Sequence, residues 1–138
     1  MSLNLTAHQD YTIGGKINVV EFEDRKLIFS NKGSFIPKTI NNVLESNAPE
    51  ERYRNKFLLN AMINLNMIDT IGSGIKKMFQ IQRNKFFPLP QYNIKTNSIE
   101  VIIEGKVLDI NYASKLASMP DLTLKTIILL DKVQKNMQ

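Results

Sequence analysis

The sequence predicts an α+β fold, in which a mixed or antiparallel sheet has its helices packed on one face. The apolar pattern gives the order strand, strand, helix, helix, helix, strand, helix, helix. It lacks the strict strand–helix alternation that builds a doubly wound sheet. The chain has 138 residues, of which 43% are hydrophobic and 22% charged, enough for one hydrophobic core. No apolar run approaches the roughly 18 residues that a membrane span requires.

Charge and cysteine content exclude several classes of function. The chain contains no cysteine, which excludes a disulfide framework, a thiolate nucleophile and a zinc ribbon. Its 18 Lys and Arg against 13 Asp and Glu give a net charge of +5. This net charge mildly favours polyanionic partners, but a charge of this size is also common in proteins as a contribution to solubility.

Two strands begin the predicted fold. Gly14–Gly15 predicts a turn, and apolar residues then alternate with polar ones over Lys16–Glu23, as in a half-buried strand. A two-residue connection, Asp24–Arg25, leads to a second strand over Lys26–Ser30, so the pair predicts a hairpin. The residues expected to face the helices are Ile17, Val19, Leu27 and Phe29.

Three helices follow in the middle of the chain. A short helix is predicted to Ser46 with Thr39 as its cap, and a longer one over Asn55–Leu65 with Asn55 as its cap. Asn66 suits a left-handed helix stop. The third helix is predicted over Ile75–Arg83. The residues expected to bury the second helix in the core are Phe57, Leu58, Ala61, Met62 and Leu65.

The last third of the chain predicts one strand and two helices. The strand covers Asn93–Ile103, where apolar residues alternate, and a short helix covers Ile110–Ser118. Thr123 is the predicted cap of a final helix over Leu124–Gln134. Apolar residues occupy much of the circumference of this helix, so we expect it to lie outside the compact core or to dock on a second copy.

The domain organisation expected from the sequence has three parts. Residues 1–3 resemble a cloning leader, residues 4–105 form the α+β domain, and residues 106–138 form a helical extension. Because Asn4–Tyr11 reads like the end of a helix, we expect the domain to be incomplete at its N-terminus and the chain to be an excised piece. No secretion signal precedes it, so a cytoplasmic location is the default expectation.

Four fragments, in order, carry a resemblance to one family. They are Asn4–Tyr11, Asp24–Gly33, Arg54–Asn55 followed by Met67–Asp69, and Ile71–Ile75. Together they resemble the histidine-kinase-like ATPase-type domain in the C-terminal part of RecG-related, Schlafen-like bacterial transcriptional regulators. In those proteins a divergent AAA (Schlafen-type) domain precedes this one and a winged helix usually follows. The resemblance thus implies DNA as a partner through flanking domains, with residues 106–138 leading toward the winged helix.

The same resemblance implies the cofactors, ATP and Mg²⁺, neither of them required for folding. Domains of this fold hold magnesium through an Asn on the first helix, with a Glu one turn earlier as base. Asn4 occupies the Asn position, and the Glu would lie before the chain begins. The adenine loop, which normally carries an Asp and two glycines, retains only Gly33 in Asn31–Gly33. No catalytic residue is therefore assigned, and ATP hydrolysis would belong to the intact protein.

Gly72–Gly74 is the expected phosphate cradle, because small residues let backbone N–H groups close on an anion at a positive helix end. The alternative is a turn between helices that requires positive φ. For Asn4 the alternative is a polar residue at a helix end. The full set of predicted nucleotide-binding residues is Asn4, Gly33, Gly72, Ser73, Gly74, Lys76 and Lys77, with Asn4 also the predicted metal ligand.

Two further features are open to two interpretations each. His8, the only histidine, is interpreted as part of a hydrogen-bonded structural corner with Asp10 and Tyr11 rather than as a ligand or catalytic base. No acid lies between Asp69 and Glu100, which predicts either nucleic-acid contact or a solvated helix face. The basic and aromatic residues of that stretch are Lys76, Lys77, Arg83, Lys85, Phe86, Phe87, Tyr92 and Lys95.

The sequence therefore predicts a non-catalytic or weakly nucleotide-binding regulatory domain, with a homodimer as one form of coupling and no membrane partner. Two alternatives remain at this point, an active ATPase domain of a helicase-related protein and a ligand-free dimerisation or interaction module. The chain contains no Walker loop, so its residues give no support to helicase activity.

Overall fold

The computed structural model describes residues 2–45, 53–68 and 73–137; for residues 2–4, 73, 135 and 137 it describes the backbone alone. The elements within these ranges are α1 (Ser2–His8), β1 (Asn18–Phe22), β2 (Lys26–Lys32), α2 (Ile40–Glu45), α3 (Lys56–Asn64), α4 (Ser73–Asn84), β3 (Gln91–Lys95), β4 (Ser98–Glu104), α5 (Ile110–Ala117) and α6 (Leu124–Met137). None of these helices is long and apolar enough to cross a membrane.

The four strands form one antiparallel sheet in the order β1-β2-β4-β3, which confirms the predicted α+β class. The predicted hairpin of β1 and β2 is also confirmed. Its loop has three residues rather than two, because Phe22 pairs with Lys26 and Arg25 adopts a left-handed φ of 64°. A residue of this conformation at the end of a three-residue loop lets the chain re-enter the second strand.

The prediction of a single strand over Asn93–Ile103 is wrong. The chain turns at Thr96–Asn97, and β3 folds back on β4 with Ile94 opposite Ile99. The alternation of apolar residues continues across the turn, so periodicity alone does not reveal it. The backbone carbonyl of Asn97 accepts a hydrogen bond from the Gly33 N–H at 3.0 Å, which ties this turn to the end of β2.

One face of the sheet carries the helices. Phe29 of β2 and Ile99 and Val101 of β4 are buried in one apolar cluster together with Leu5 of α1. Ile17 and Leu27 pack against the same cluster, as predicted. Val19 does not, since it is 50% exposed. Every residue of β1 is exposed, because this strand lies at the edge of the sheet.

The predicted buried face of α3 is partly wrong. Leu59 and Met62 are buried against Ala7 of α1, whereas Phe57 is 91% exposed and Leu65 is 70% exposed. Because α3 packs on a helix of only seven residues, a narrow stripe is enough to cover the contact. The helix ends near Asn66 as predicted, and Asn66 lies in the left-handed region with a φ of 54°.

A second helical layer joins α4 to α6. Phe79 of α4, Leu89 before β3 and Ile127 of α6 are buried together, so the expectation that α6 lies outside the core is wrong. The opposite side of α6 does remain exposed, notably Leu129 and Val133. The predicted Thr caps are confirmed, with the Oγ1 of Thr123 accepting from the Thr126 N–H at 3.3 Å and that of Thr39 from the Asn42 N–H at 3.2 Å.

Candidate functional site

The predicted nucleotide-binding residues fall into two groups in the structure. Gly33 follows the end of β2, and Asn4 lies in α1, whose C-terminal end meets β2. Gly74, Lys76 and Lys77 lie in the first turns of α4. Gly72 is outside the described residues, and only the backbone of Asn4 and Ser73 is described.

A network of polar contacts surrounds Gly33. We call this network the polar junction and define it by Gln9, Asp10, Lys32, Gly33, Arg54 and Asn55. Gln9 is its most buried side chain, with 2% of its surface exposed. The Oε1 of Gln9 accepts from the Lys32 N–H at 2.8 Å, and the Asp10 N–H donates to the Lys32 carbonyl at 2.7 Å. These bonds attach the segment that follows α1 to the end of β2.

Two residues before α3 complete the polar junction. The Nδ2 of Asn55 donates to the carbonyl of Ala7 at 2.9 Å and to that of Gln9 at 2.7 Å. These carbonyls lie at the end of α1, where helical partners are absent. Asn55 occupies the N-cap position of α3, as predicted, but its side chain makes no cap hydrogen bond there. The guanidinium of Arg54 donates to the Asp10 carboxylate and to the backbone carbonyl and hydroxyl of Ser34.

Gly33 has a packing reason to be glycine. Its φ is +129°, and an added Cβ would lie 3.2 Å from the Cβ of Asp10 and 3.3 Å from the Cζ of Arg54. Residues other than glycine rarely adopt this backbone conformation, and there is little space here for a side chain. The polar junction therefore accounts for Gly33 without a bound nucleotide.

The electrostatics of the polar junction favour an ionised Asp10. Hydrogen bonds from the hydroxyl and the backbone N–H of Thr12, and then the charge of Arg54, hold the pKa of Asp10 below its ordinary value. In the predicted structural corner, Asp10 accepts hydrogen bonds from Thr12 and the Tyr11 hydroxyl donates to the Thr6 carbonyl at 2.9 Å, whereas a hydrogen bond of His8 stays a prediction. His8 adds a tilted ring contact with Tyr53, with centroids 6.1 Å apart.

The start of α4 offers different chemistry. This helix of 12 residues has no acidic residue in its first turn. Two lysines, Lys76 and Lys77, come two residues after Gly74. The end of the helix carries a partial positive charge from its unpaired N–H groups. Gly74 and Lys77 are exposed, and Lys76 is half-buried. The arrangement suits an anion.

The two groups of residues lie on the same side of the sheet. Met78 of α4 packs against the apolar cluster that contains Leu5 of α1, next in sequence to Asn4. Ile75, one turn earlier in α4, packs against the cluster that holds Phe79 and Ile127. The cluster around Leu5 thus connects the helix of Asn4 with the helix of the two lysines.

Several residues of the basic stretch make separate local contacts. Arg83 donates to the backbone carbonyls of Leu122 at 2.6 Å and Pro120 at 3.3 Å, and so supports the loop before α6. Lys95 lies beside the β3–β4 turn. Tyr92 stacks on Phe79 with centroids 6.3 Å apart. Phe86 is 40% exposed and has a positive φ of 54°.

The implied cofactors fit these residues unequally. The start of α4 matches the chemistry of a phosphate. For Mg²⁺, the described residues contain no group of three or more His, Asp or Glu side chains that could hold a metal ion. Asp10, the acid nearest to Asn4 in sequence, is engaged by Thr12 and Arg54. This search does not cover Asn4, the predicted magnesium ligand, because an Asn side chain is not among the groups considered and that of Asn4 lies outside the described ones.

Sequence reasoning missed the roles of Gln9 and Asn55, and it assigned no function to Arg54. Their signal was present in the fragments Asn4–Tyr11 and Arg54–Asn55, which the resemblance singled out. What the sequence did not show is that these two fragments contact each other. It also missed Asp109, whose carboxylate caps α5 by accepting from the Asn111 and Tyr112 N–H groups.

Comparison with known proteins bears on both groups of residues. The sequence model of the family described as "Putative ATP-dependent DNA helicase recG C-terminal" matches residues 14–103. The match includes Gly33, the polar residues before α3 and the start of α4. It leaves out α1 with Asn4, and also α5 and α6.

A solved structure shares the fold. The crystal structure of the DIP2311 protein from Corynebacterium diphtheriae matches with a TM-score of 0.65 and 24% identity, over 81% of this chain. This chain spans 23% of the length of that protein. No curated protein matches the sequence.

Proposed function

Because this chain belongs to the RecG C-terminal family, we propose that it is a non-catalytic regulatory domain that binds the phosphates of a nucleotide. The observation that carries the proposal is the start of α4, where the exposed Gly74, two lysines and the absence of acid in the first turn coincide. Gly74 lets an anion approach the N–H groups closely, and Lys76 and Lys77 supply positive charge. Asn4 is proposed to face the same phosphate site, since α1 and α4 cover the same side of the sheet.

The regulatory part of the proposal concerns what binding would change. Phe79 of α4 and Ile127 of α6 belong to one buried cluster, so a ligand that orders the start of α4 would also stabilise the layer that holds α6. In a longer protein with flanking DNA-associated domains, this contact would couple nucleotide binding to their arrangement. Direct binding of nucleic acid by the basic stretch is not part of the proposal, because Arg83 is used by backbone carbonyls.

The test is thermal unfolding of the chain with ATP, ADP or inorganic phosphate, each with and without Mg²⁺. A ligand that binds only the folded state raises the Tm as its concentration increases. We expect ATP and ADP to raise the Tm, and Gly74→Asp to abolish the rise. An aspartate in the first turn is favourable for a helix, so the variant should fold. Gln80→Asp makes the same charge change on an exposed position of the same helix and should retain binding.

The alternatives are separate outcomes of this experiment. Release of phosphate from ATP by the purified chain would support an active ATPase domain instead. If no ligand raises the Tm of the parent chain, the phosphate site is wrong and the ligand-free interaction module is favoured. If Gly74→Asp and Gln80→Asp weaken binding equally, the effect is one of net charge and the start of α4 is not the site.

A further inference from the structure

The two edges of the sheet differ in how they are protected. Edge strands expose unpaired N–H and C=O groups, and natural proteins usually blunt them with lysine, proline or a bulge. The β3 edge has such protection, since Pro88 and Pro90 precede it and Lys95 ends it. The β1 edge, Asn18–Phe22, contains neither lysine nor proline. Its apolar residues are open to solvent, with exposures of 50% for Val19, 43% for Val20 and 40% for Phe22.

An apolar row on the sheet ends at this unprotected edge. Val20 lies opposite Ile28 of β2, and Ile28 lies opposite Ile102 of β4. The row occupies the face away from Phe29 and Val101, which lie at the neighbouring positions of the same strands. A strand added beside β1 would extend this row and cover Val20 from the side.

The sequence of β1 is complementary to itself. In antiparallel pairing of two copies about Val20, the two Val20 residues face each other and Asn18 faces Phe22. Glu21 then faces Val19, so no acid opposes an acid. Pairing about Phe22 would instead place Glu21 opposite Glu23, and like charges directly opposite are destabilising.

Charge complementarity continues beyond the ends of the strands. Pairing about Val20 brings Lys16 of each copy toward Asp24 of the other. Asp24 is exposed and already contacts Lys106 at 3.5 Å, so each end of the paired strands would hold one acid between two lysines. Opposite charges across a strand pair favour this register.

We propose that β1 pairs with β1 of a second copy in an antiparallel register centred on Val20, joining two four-stranded sheets into one of eight strands. The two-fold axis passes between the two Val20 residues. The contact uses neither the polar junction nor the start of α4, so it is independent of nucleotide binding.

Sedimentation velocity over roughly a hundredfold range of protein concentration tests the proposal, because a weak dimer dissociates on dilution. We expect a monomer–dimer equilibrium for the parent chain. Val20→Lys places two like charges on the axis and should raise the Kd at least about tenfold. Ile94→Lys, on the β3 edge and 39% exposed in the parent, is the matched control and should leave the Kd unchanged.

A cysteine variant tests the register. The chain has no cysteine, so Val20→Cys can form a disulfide only between copies. Opposed residues of antiparallel strands have Cα atoms about 4.5–5.5 Å apart, within the range a disulfide spans. Oxidation should cross-link Val20→Cys and leave Ile94→Cys without a disulfide between copies. A parent chain that stays monomeric throughout, a dimer that Val20→Lys does not weaken, or equal cross-linking of both cysteine variants would each overturn the proposal.

Discussion

The polar junction and the layer formed by Phe79, Leu89 and Ile127 both attach helices to the sheet, but by different means. In the polar junction, directional hydrogen bonds from Asn55 and Arg54 reach backbone and carboxylate oxygens of distant segments. In the layer, three apolar side chains fill space between α4, the start of β3 and α6. The comparison teaches that the hydrogen bonds of the polar junction determine which groups must lie together. The apolar layer stabilises the fold by filling space, so it should tolerate apolar side chains of similar volume but not smaller ones.

The largest effect should come from truncating the apolar layer. Phe79→Ala removes a side chain that is 3% exposed, and we expect it to lower the free energy of unfolding by about 3–5 kcal/mol. Urea unfolding followed by circular dichroism measures this change. Phe57→Ala is the matched control, because Phe57 is exposed, and it should stay within about 0.5 kcal/mol of the parent. A small effect at Phe79 would mean that the layer does not stabilise the fold.

A smaller effect is expected in the polar junction. Asn55→Ala removes the donor shared by the Ala7 and Gln9 carbonyls and should cost about 1–3 kcal/mol. Asn55→Asp should cost more, because it places an acceptor against two acceptors. Asn60→Ala, at an exposed position of α3, is the control, and urea unfolding should find it near the parent. Equal stability of Asn55→Ala and Asn55→Asp would show that hydrogen-bond direction does not matter there.

The smallest effect concerns pH. The pKa of Asp10 is lowered in the folded chain by Thr12 and then Arg54, so the ionised carboxylate stabilises the fold above its ordinary pKa. This contribution is lost as the pH falls from that ordinary value through the lower folded value. Urea unfolding of the parent at a series of acidic pH values should therefore give a free energy of unfolding that decreases as the pH is lowered. Thr12→Val, which keeps the backbone N–H but removes the hydroxyl, should have a shallower slope. The same slope in both chains would contradict the role of Thr12.

The features predicted correctly depend on neighbours in sequence. The hairpin of β1 and β2 follows from alternation around a short turn, the Thr39 and Thr123 caps from the residues after them, and the helix stop at Asn66 from its tolerance of positive φ. Each of these features is determined by residues a short distance apart in sequence. Local sequence rules are therefore sufficient to predict them.

Two of the features predicted wrongly depend on residues that are distant in sequence. A local rule assigns the side chain of Asn55 to the N–H groups of α3, whose N-cap it is, but that side chain donates to the carbonyls of Ala7 and Gln9. The buried stripe of α3 is set by the small surface of α1, which its own periodicity does not encode.

The candidate site shows the same division. The chemistry of Lys76 and Lys77 at a helix start was predictable from adjacent residues. The packing of Gly33 between Asp10 and Arg54 was not, because these three residues come from separate segments of the chain.

The sheet order also has a consequence for the folding rate. Both hairpins, β1–β2 and β3–β4, close within short loops, whereas the central pairing of β2 with β4 joins strands separated by α2, α3, α4 and β3. Closing so long a loop costs entropy before the central contacts form, and such topologies fold slowly. We expect the two hairpins to form early, and the pairing of β2 with β4 that joins them to be slower. During that interval the inner edge of β2, later covered by β4, is open to pairing with other chains, so refolding yield should fall as protein concentration rises.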